Sequence, residues 1–165
     1  MANLEIEPIT DLSDEQQAVL LALNNANARE TSFLEPAKWA KMVANAFSAT
    51  RIRDTVSLLI TFDQDADYDS ANFLWFLSRL DRFVYVDRVV VGDAHRGSGL
   101  ARKLYEDLFA RARVAGHDCI VCEVNRMPPN PGSDAFHSSM GFEEIGQATL
   151  AGGDKTVRYL RKVLS

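Results

Sequence analysis

The chain has 165 residues, of which 47% are hydrophobic and 25% are charged, and its formal net charge at pH 7 is −5. A chain of this length and composition can bury one sizeable core, so we expect residues 1–165 to form a single domain. The negative charge argues against nonspecific nucleic-acid binding as the main role. No apolar stretch reaches membrane-spanning length and the N-terminus lacks a signal-peptide pattern. We therefore expect a cytoplasmic protein with no membrane partner.

The first third of the chain predicts two helices between strands. Residues 4–9 alternate apolar and polar as a half-buried strand does, and Ser13 followed by Gln16 has the spacing of a helix capping box. A second helical pattern begins near Pro36. The stretches 46–52 and 55–62 then predict an antiparallel hairpin.

Four aspartates occupy alternate positions from Asp63 to Asp69. The stretch begins like a calcium loop, but its sixth position is Tyr68 instead of glycine and its twelfth is Leu74 instead of glutamate. Three interpretations stay open: a solvated acidic loop, a loop that attracts a cationic amine, and an adventitious metal site. The helical stretch 70–80 follows, and its aromatic residues would pack in the core or wall a ligand pocket.

A long apolar stretch, Phe83 to Val91, predicts a central strand. Asp87 and Arg88 are unusual in so apolar a run. Asp87 is either catalytic or paired with Arg88 or Arg82. The next helix, from Leu100 to Gly116, would connect this strand to a parallel strand at residues 120–124.

The C-terminal part predicts a short helix and two closing strands. The helix would run from Ala135 to Met140 with Ser133 or Asp134 as its cap, and the strands would cover residues 142–148 and 156–163, joined by a turn at 152–154. His95 and His117 read as surface residues.

Cys119 and Cys122 lie three residues apart in a stretch that reads as a buried strand. Side chains three apart on a strand point to opposite faces, so neither a disulfide nor a redox pair is expected. There is also no second cysteine pair that would complete a zinc site. We expect no metal site.

A strand, a turn with two glycines and a helix start follow one another from Val89 to Ala101. Unpaired amides at a helix N-terminus attract anions, and Gly97 and Gly99 let the backbone approach a phosphate closely. The spacing excludes a Walker A loop and fits a Rossmann fingerprint poorly. The stretch therefore predicts a site for a ligand that carries phosphate.

The loop resembles the coenzyme A pyrophosphate loop of the GNAT acetyltransferase superfamily, with Arg96, Gly99 and Ala101 on the family pattern. Downstream, Asn130 and Gly141-Phe142 also match, and His137 stands where the family often has a tyrosine. Glu123-Val124 resembles a segment of the subgroup that acetylates protein N-termini. The run around Asn130 is also similar to an uncharacterised bacterial branch of predicted acetyltransferases.

The resemblance implies a GNAT N-acyltransferase fold of the α/β (α+β) class. This fold has a mixed, mostly antiparallel sheet flanked by helices and splayed at the central parallel strand pair, between Val89 and Val121. It also implies acetyl-CoA as cosubstrate. The residues expected to contact acetyl-CoA are Val89, Val90, Val91, Arg96, Gly97, Ser98, Gly99, Leu100, Ala101, Asn130 and His137.

For catalysis the resemblance implies Glu123 as general base and His137 as general acid toward the leaving thiolate. The open alternatives are a structural carboxylate at Glu123 and a histidine that only packs on the cofactor. The expected activity is acetyl transfer to a primary amine of a small molecule or peptide. A non-catalytic acyl-CoA sensor is the alternative function, and a homodimer is an open alternative for the assembly.

Overall fold

The computed structural model describes residues 5–28, 31–127, 129–150, 152–153 and 155–165. Within these ranges seven strands form one sheet. The strands are β1 Ile6–Pro8, β2 Ser48–Ile52, β3 Ser57–Asp63, β4 Phe83–Val91, β5 Cys119–Met127, β6 Glu143–Thr149 and β7 Thr156–Val163. The α-helices are α1 Asp14–Ala26, α2 Pro36–Asn45, α3 Ala71–Leu77, α4 Leu100–Val114 and α5 Pro131–Ser139.

The strands lie in the order β1-β2-β3-β4-β5-β7-β6. Every neighbouring pair is antiparallel except β4 and β5, which are parallel because α4 connects them. The mixed, mostly antiparallel sheet predicted from the sequence is confirmed.

The parallel pair is short. β4 and β5 pair from Phe83 and Cys119 to Tyr85 and Val121, and the described residues show no pairing between these strands beyond that point. Val121, which we placed at the opening, is still paired, and the two strands separate one residue later. The later half of β4 therefore leaves its β5-facing edge free.

A β-bulge interrupts β4 where this opening begins. Val86 lies opposite Thr61 and Arg88 lies opposite Ile60, so Asp87 is an extra residue without a partner in β3. An extra residue shifts the alternation of side chains between the two faces of a strand. Asp87 and Arg88, although adjacent in sequence, consequently point to the same face.

Each face of the sheet has its own hydrophobic cluster. Leu20 of α1, Trp39 of α2 and Phe73 of α3 pack on one face. Leu104 of α4 and Phe142, which precedes β6, pack on the other face. The site described below lies between these layers, where β4 and β5 part.

The predicted cap of α1 is confirmed, and the predicted cap of α5 is not. Ser13 and Gln16 form the predicted capping box of α1. The start predicted for α5 was wrong, because the helix begins at Pro131 and Asn130 is its N-cap, accepting a hydrogen bond from the Ser133 amide. Proline fits this first position since its missing N–H would have no helical partner.

Two further expectations are settled by burial. Cys119 and Cys122 are buried free thiols on opposite faces of the sheet, as predicted. His117, expected at the surface, is buried with an edge-to-face contact to Phe47.

Residue 154 of the predicted turn lies outside the described residues. No helix in the described part of the chain is both long and apolar enough to cross a bilayer.

Candidate active site

A cavity of about 450 Å³ opens where β4 and β5 separate. Residues from α3, β4, α4, β5, α5 and β7 line it, together with residues of the connections between elements. The polar members of the lining are Thr31, Asn72, Asp87, Arg88, Tyr105, Glu123, Asn125, Asn130, Ser133, His137 and Lys155. A second cavity of about 380 Å³ shares Thr31, Val89 and Asn130 with the first and leads toward the loop after β4. Together the two cavities form a cleft that runs from this loop to Glu123.

The loop after β4 has the backbone of an anion site. Gly97 and Gly99 have φ angles of +76° and +80°, a conformation that side-chain-bearing residues rarely adopt. Gly99 is the N-cap of α4. The amides of residues 97–102 donate to no backbone acceptor in the described part of the chain. They are available to a negatively charged ligand.

His137 lines the first cavity and Gly99 is exposed at the start of α4, and the other predicted cofactor residues fall into three groups. Val89, Val90, Val91, Arg96, Ala101 and Asn130 line the second cavity. Gly97 and Ser98 are exposed in the loop. Leu100 differs from the prediction in one respect, because its side chain is buried in the core and only its backbone remains for a ligand.

Arg96 is held beside the loop by two contacts. Its Nη2 donates to Asn27 Oδ1 at 3.2 Å, and its Nε lies 3.1 Å from Asp93 Oδ1. The Arg96 side chain is 60% exposed, so its charge remains accessible to a ligand in the cleft.

Glu123 stands on β5 at the inner end of the cleft. Its Oε1 accepts hydrogen bonds from the Tyr85 hydroxyl at 2.9 Å and from Asn72 Nδ2 at 3.1 Å. The Tyr159 hydroxyl donates to Asn72 Oδ1 at 2.8 Å and so fixes the orientation of that amide. Glu123 Oε2 is buried and has no hydrogen-bond partner among the described residues.

Burial raises the pKa of Glu123 to about 7, and repulsion from Asp87 adds to this effect. The hydrogen bonds from Tyr85 and Asn72 oppose it, since they favour the charged form. The carboxyl group therefore exchanges a proton near neutral pH. A general base for an amine needs this property.

Asp87, the bulge residue, has a different environment in the same cavity. Its Oδ2 accepts from Arg88 Nε at 2.6 Å, and its Oδ1 accepts from the Tyr68 hydroxyl. Arg88 Nη1 in turn donates to Asn24 Oδ1 on α1 at 2.8 Å. The side chains of Asp87 and Arg88 are each only 5% exposed. Of the two partners that the sequence left open for Asp87, the structure places Arg88 beside it.

His137 is buried and held at both ring nitrogens. Its Nδ1 lies 2.8 Å from the Ser133 carbonyl and its Nε2 lies 2.8 Å from the Tyr105 hydroxyl. A carbonyl only accepts, so Nδ1 carries the hydrogen and Nε2 accepts from Tyr105. Burial lowers the pKa of His137 and raises that of Tyr105 well above its ordinary value. Both groups are therefore neutral near pH 7.

The structure thus brings together Glu123, His137, Asn130 and Val89 in one cavity. It adds Asn72 and Tyr105 to the lining and Tyr85 as a partner of Glu123, none of which the sequence indicated. The aspartates from Asp63 to Asp69 do not line this cavity, although Tyr68 from the same loop contacts Asp87. No cluster of metal-ligating side chains occurs among the described residues.

The sheet opens at its parallel pair, with a loop of free backbone amides at one end of the opening and the Glu123 carboxyl group at the other. The model of the "Acetyltransferase (GNAT) family" matches residues 60–142, just over half of the chain. The chain belongs to the GNAT acetyltransferase family. No curated protein sequence matches it significantly.

Solved structures share the fold over the whole chain. The ribosomal-protein-alanine N-acetyltransferase from Brucella melitensis has a TM-score of 0.73 at 18% identity, covering 98% of this chain and 100% of that one. The NatC complex bound to Gag peptide and CoA has a TM-score of 0.73 at 14% identity, with 98% of each chain covered. An aminoglycoside 6′-N-acetyltransferase complexed with coenzyme A has a TM-score of 0.72 at 11% identity, covering 98% and 97%.

At identities this low the likeness shows the fold, and the family match carries the class of activity. The predicted family, fold, acetyltransferase activity and acetyl-CoA cosubstrate are confirmed. The roles of individual site residues stay predictions.

Proposed function

We propose that the protein transfers the acetyl group of acetyl-CoA to a primary amine of a small molecule or peptide, by direct attack of the amine on the thioester, with Glu123 as general base. The observation that carries this proposal is the unpartnered Oε2 of Glu123 in the cavity, on a carboxyl group whose pKa is about 7.

The cleft fits acetyl-CoA. The amides of residues 97–101 and the exposed guanidinium of Arg96 would hold the pyrophosphate, and the cavity along Val89–Val91 would receive the pantetheine arm. Backbone N–H groups on the free edge of β4 would stabilise the oxyanion of the tetrahedral intermediate.

The base is needed because alkylamines are mostly protonated near neutral pH and a protonated amine cannot attack. Glu123 accepts a proton only in its charged form. The sign of the pH effect follows, since the rate rises as pH increases through about 7. With a carboxylate of ordinary pKa, this rise in rate, the acid limb of the pH–rate profile, would occur about 2–3 pH units lower.

We propose that the Tyr105–His137 pair serves the leaving thiolate. With Nδ1–H donated to Ser133, neutral His137 has no hydrogen on Nε2, and the hydrogen of the pair lies on the Tyr105 hydroxyl. His137 as general acid therefore requires the imidazolium form, which burial disfavours. To stabilise the thiolate, Tyr105 would turn its one hydroxyl hydrogen from His137 Nε2 to the sulfur, and burial keeps this hydroxyl protonated near neutral pH.

The acceptor is proposed as an amine on the strength of Glu123 and of the fold neighbours, which include an N-acetyltransferase for ribosomal-protein alanine and a complex with a bound peptide. A small-molecule amine and a peptide N-terminus both suit a cavity with polar walls. The cytoplasmic location and the homodimer stay predictions.

The experiment is a calorimetric titration of the purified protein with acetyl-CoA, and separately with NAD and ATP. We expect binding of acetyl-CoA alone, and its loss in Gly99→Val, whose side chain would strain a backbone at φ +80°. Retained affinity in a folded Gly99→Val variant would contradict the loop assignment.

A panel of amines and short peptides is then screened for thiol release. We expect turnover that Glu123→Gln reduces about 10²–10⁴-fold, with Glu143→Gln on the exposed β6 as the matched control. Binding of acetyl-CoA without turnover on any amine would favour the alternative, a non-catalytic acyl-CoA sensor.

A further inference from the structure

The bulge in β4 changes which side chains line the cavity. On a regular strand Asp87 and Arg88 would point to opposite faces and could not pair. The unpaired position of Asp87 opposite β3 puts both side chains on the face that carries Glu123, where they form an ion pair of 2.6 Å. The bulge therefore places a second carboxylate, together with its cation, on the wall of the cavity that holds Glu123.

Several polar or ionisable groups face Glu123 from the elements around it. They are Tyr85, Asp87 and Arg88 on β4, Cys122 beside it on β5, Lys155 and Tyr159 at β7, Asn72 on α3, Tyr68 from the loop before α3, Tyr105 on α4 and His137 on α5. Asp87 is the other carboxylate among these described groups. Its charge is also the largest cause, after burial, of the raised pKa of Glu123.

We propose that Asp87 is a positioning residue for acetyl transfer, which acts on Glu123 through its charge, and that Arg88 sets how much of this charge Glu123 experiences. The inference rests on the proposed role of Glu123 as base. Asp87 does not touch the reacting atoms in this scheme, because Tyr68 and Arg88 already occupy its two oxygens.

The physical reason is the opposite sign of the two charges. A negative charge beside Glu123 disfavours its carboxylate form and makes it a stronger base, whereas a positive charge has the reverse effect. Both charges lie in a site shielded from water, so neither is fully screened by solvent or salt. The pair thus keeps Glu123 basic enough to take a proton from an ammonium group and acidic enough to be charged at neutral pH.

The test uses two single variants of the full chain with acetyl-CoA and an accepted amine. Asp87→Asn removes the negative charge and leaves Arg88 unpaired, so the acid limb of the pH–rate profile should move to lower pH. Arg88→Gln leaves Asp87 unpaired, and the limb should move to higher pH. We expect each shift to be about one pH unit, the size of a single charge effect at an effective dielectric constant near 20.

Both single variants break the same buried pair, so loss of structure acts on them in the same direction and cannot produce opposite shifts. The double variant Asp87→Asn with Arg88→Gln leaves no unpaired charge and should titrate between the two. This variant also keeps the test decisive if one single variant does not fold. Shifts of the same sign would overturn the inference, and so would the absence of shifts in both the pH–rate profile and the titration of Glu123 itself.

A second readout separates this inference from the proposed function. The carboxyl carbon of Glu123 is followed by NMR in ¹³C-glutamate-labelled protein, with its signal identified by its loss in Glu123→Gln. Opposite shifts of this titration without any change in the pH–rate profile would uphold the effect of Asp87 on Glu123 and reject Glu123 as base. An unchanged titration in the folded variants would reject the effect of Asp87 itself.

Discussion

Two carboxylates face the same cavity, and their surroundings differ in one group. Asp87 and Glu123 each accept a hydrogen bond from a tyrosine hydroxyl, Tyr68 for the first and Tyr85 for the second. Asp87 also has a guanidinium at 2.6 Å, while Glu123 has an amide at 3.1 Å. A cation compensates a buried carboxylate, and an amide does so only in part.

This difference gives the two carboxylates different roles, a structural one for Asp87 and a proposed chemical one for Glu123. Asp87 is fixed by Tyr68 and Arg88, and its pair with Arg88 ties the bulge of β4 to α1 through Asn24. Glu123 keeps an unpartnered oxygen and a pKa of about 7. A buried carboxylate without a cation is costly when charged, and that cost makes it ready to take a proton.

The largest expected effect is the loss of folding stability in Asp87→Asn. Asp87→Asn leaves the buried Arg88 without its anion, and we expect the free energy of unfolding to fall by about 3–5 kcal/mol. Urea denaturation at pH 7 measures it. Glu144→Gln, which breaks the more exposed pair with Arg158, is the control and should cost no more than about 1 kcal/mol. Equal losses in the two variants would contradict the comparison.

Glu123→Gln should raise the free energy of unfolding, whereas Asp87→Asn lowers it. The pKa of Glu123 in the folded chain is about 7 against an ordinary value of 4.5, so the folded state holds its proton where the unfolded state has lost it. Stability therefore falls as pH rises from about 4.5 to 7, and the glutamine variant escapes this loss.

We expect Glu123→Gln to be more stable than the wild type by about 3 kcal/mol at pH 8 and nearly equal to it at pH 4. Urea denaturation at both pH values measures the difference, with Glu143→Gln as control. A gain of the same size at pH 4 and pH 8 would show that the charge of Glu123 is not its source.

The smallest expected effect distinguishes the two tyrosines. Tyr85→Phe removes a donor that favours charged Glu123, so its pKa should rise and the rate at pH 7 should fall about two- to fivefold. Tyr68→Phe removes a similar bond from Asp87 but leaves its charge. A pH–rate profile of each variant checks this, and we expect a clear shift of the limb only in Tyr85→Phe.

The features that depend on short stretches of sequence, such as strand bounds and the glycine loop, could be predicted. Strands β4 and β7 have the predicted bounds, because β4 is a long apolar stretch and β7 is a stretch rich in β-branched and aromatic residues after a glycine turn. The loop was predicted from the spacing of Gly97 and Gly99. The start of α5 was missed, because Asn130 was assigned to the preceding connection and not considered as a cap.

The surroundings of Glu123 were not predictable in the same way. Asn72 is 51 residues from Glu123 in sequence and Tyr85 is 38 residues away, so only the assembled sheet brings them together. The bulge at Asp87 is equally hidden, since it is a mismatch between β4 and β3 and not a property of either strand alone. Asp87 could therefore be named as unusual in an apolar strand without its role being evident.

The bulge also has a consequence for insertions and deletions. Val86 and Arg88 face consecutive residues of β3, Thr61 and Ile60. A chain without residue 87 would therefore pair continuously, and each valine before and after the gap would keep its present face of the sheet. Deletion of Arg88 would also keep these faces, whereas deletion of another interior residue of β4 would turn part of the strand over. The extra position thus leaves the faces of the valines unchanged and adds one polar side chain to the wall of the cavity that holds Glu123.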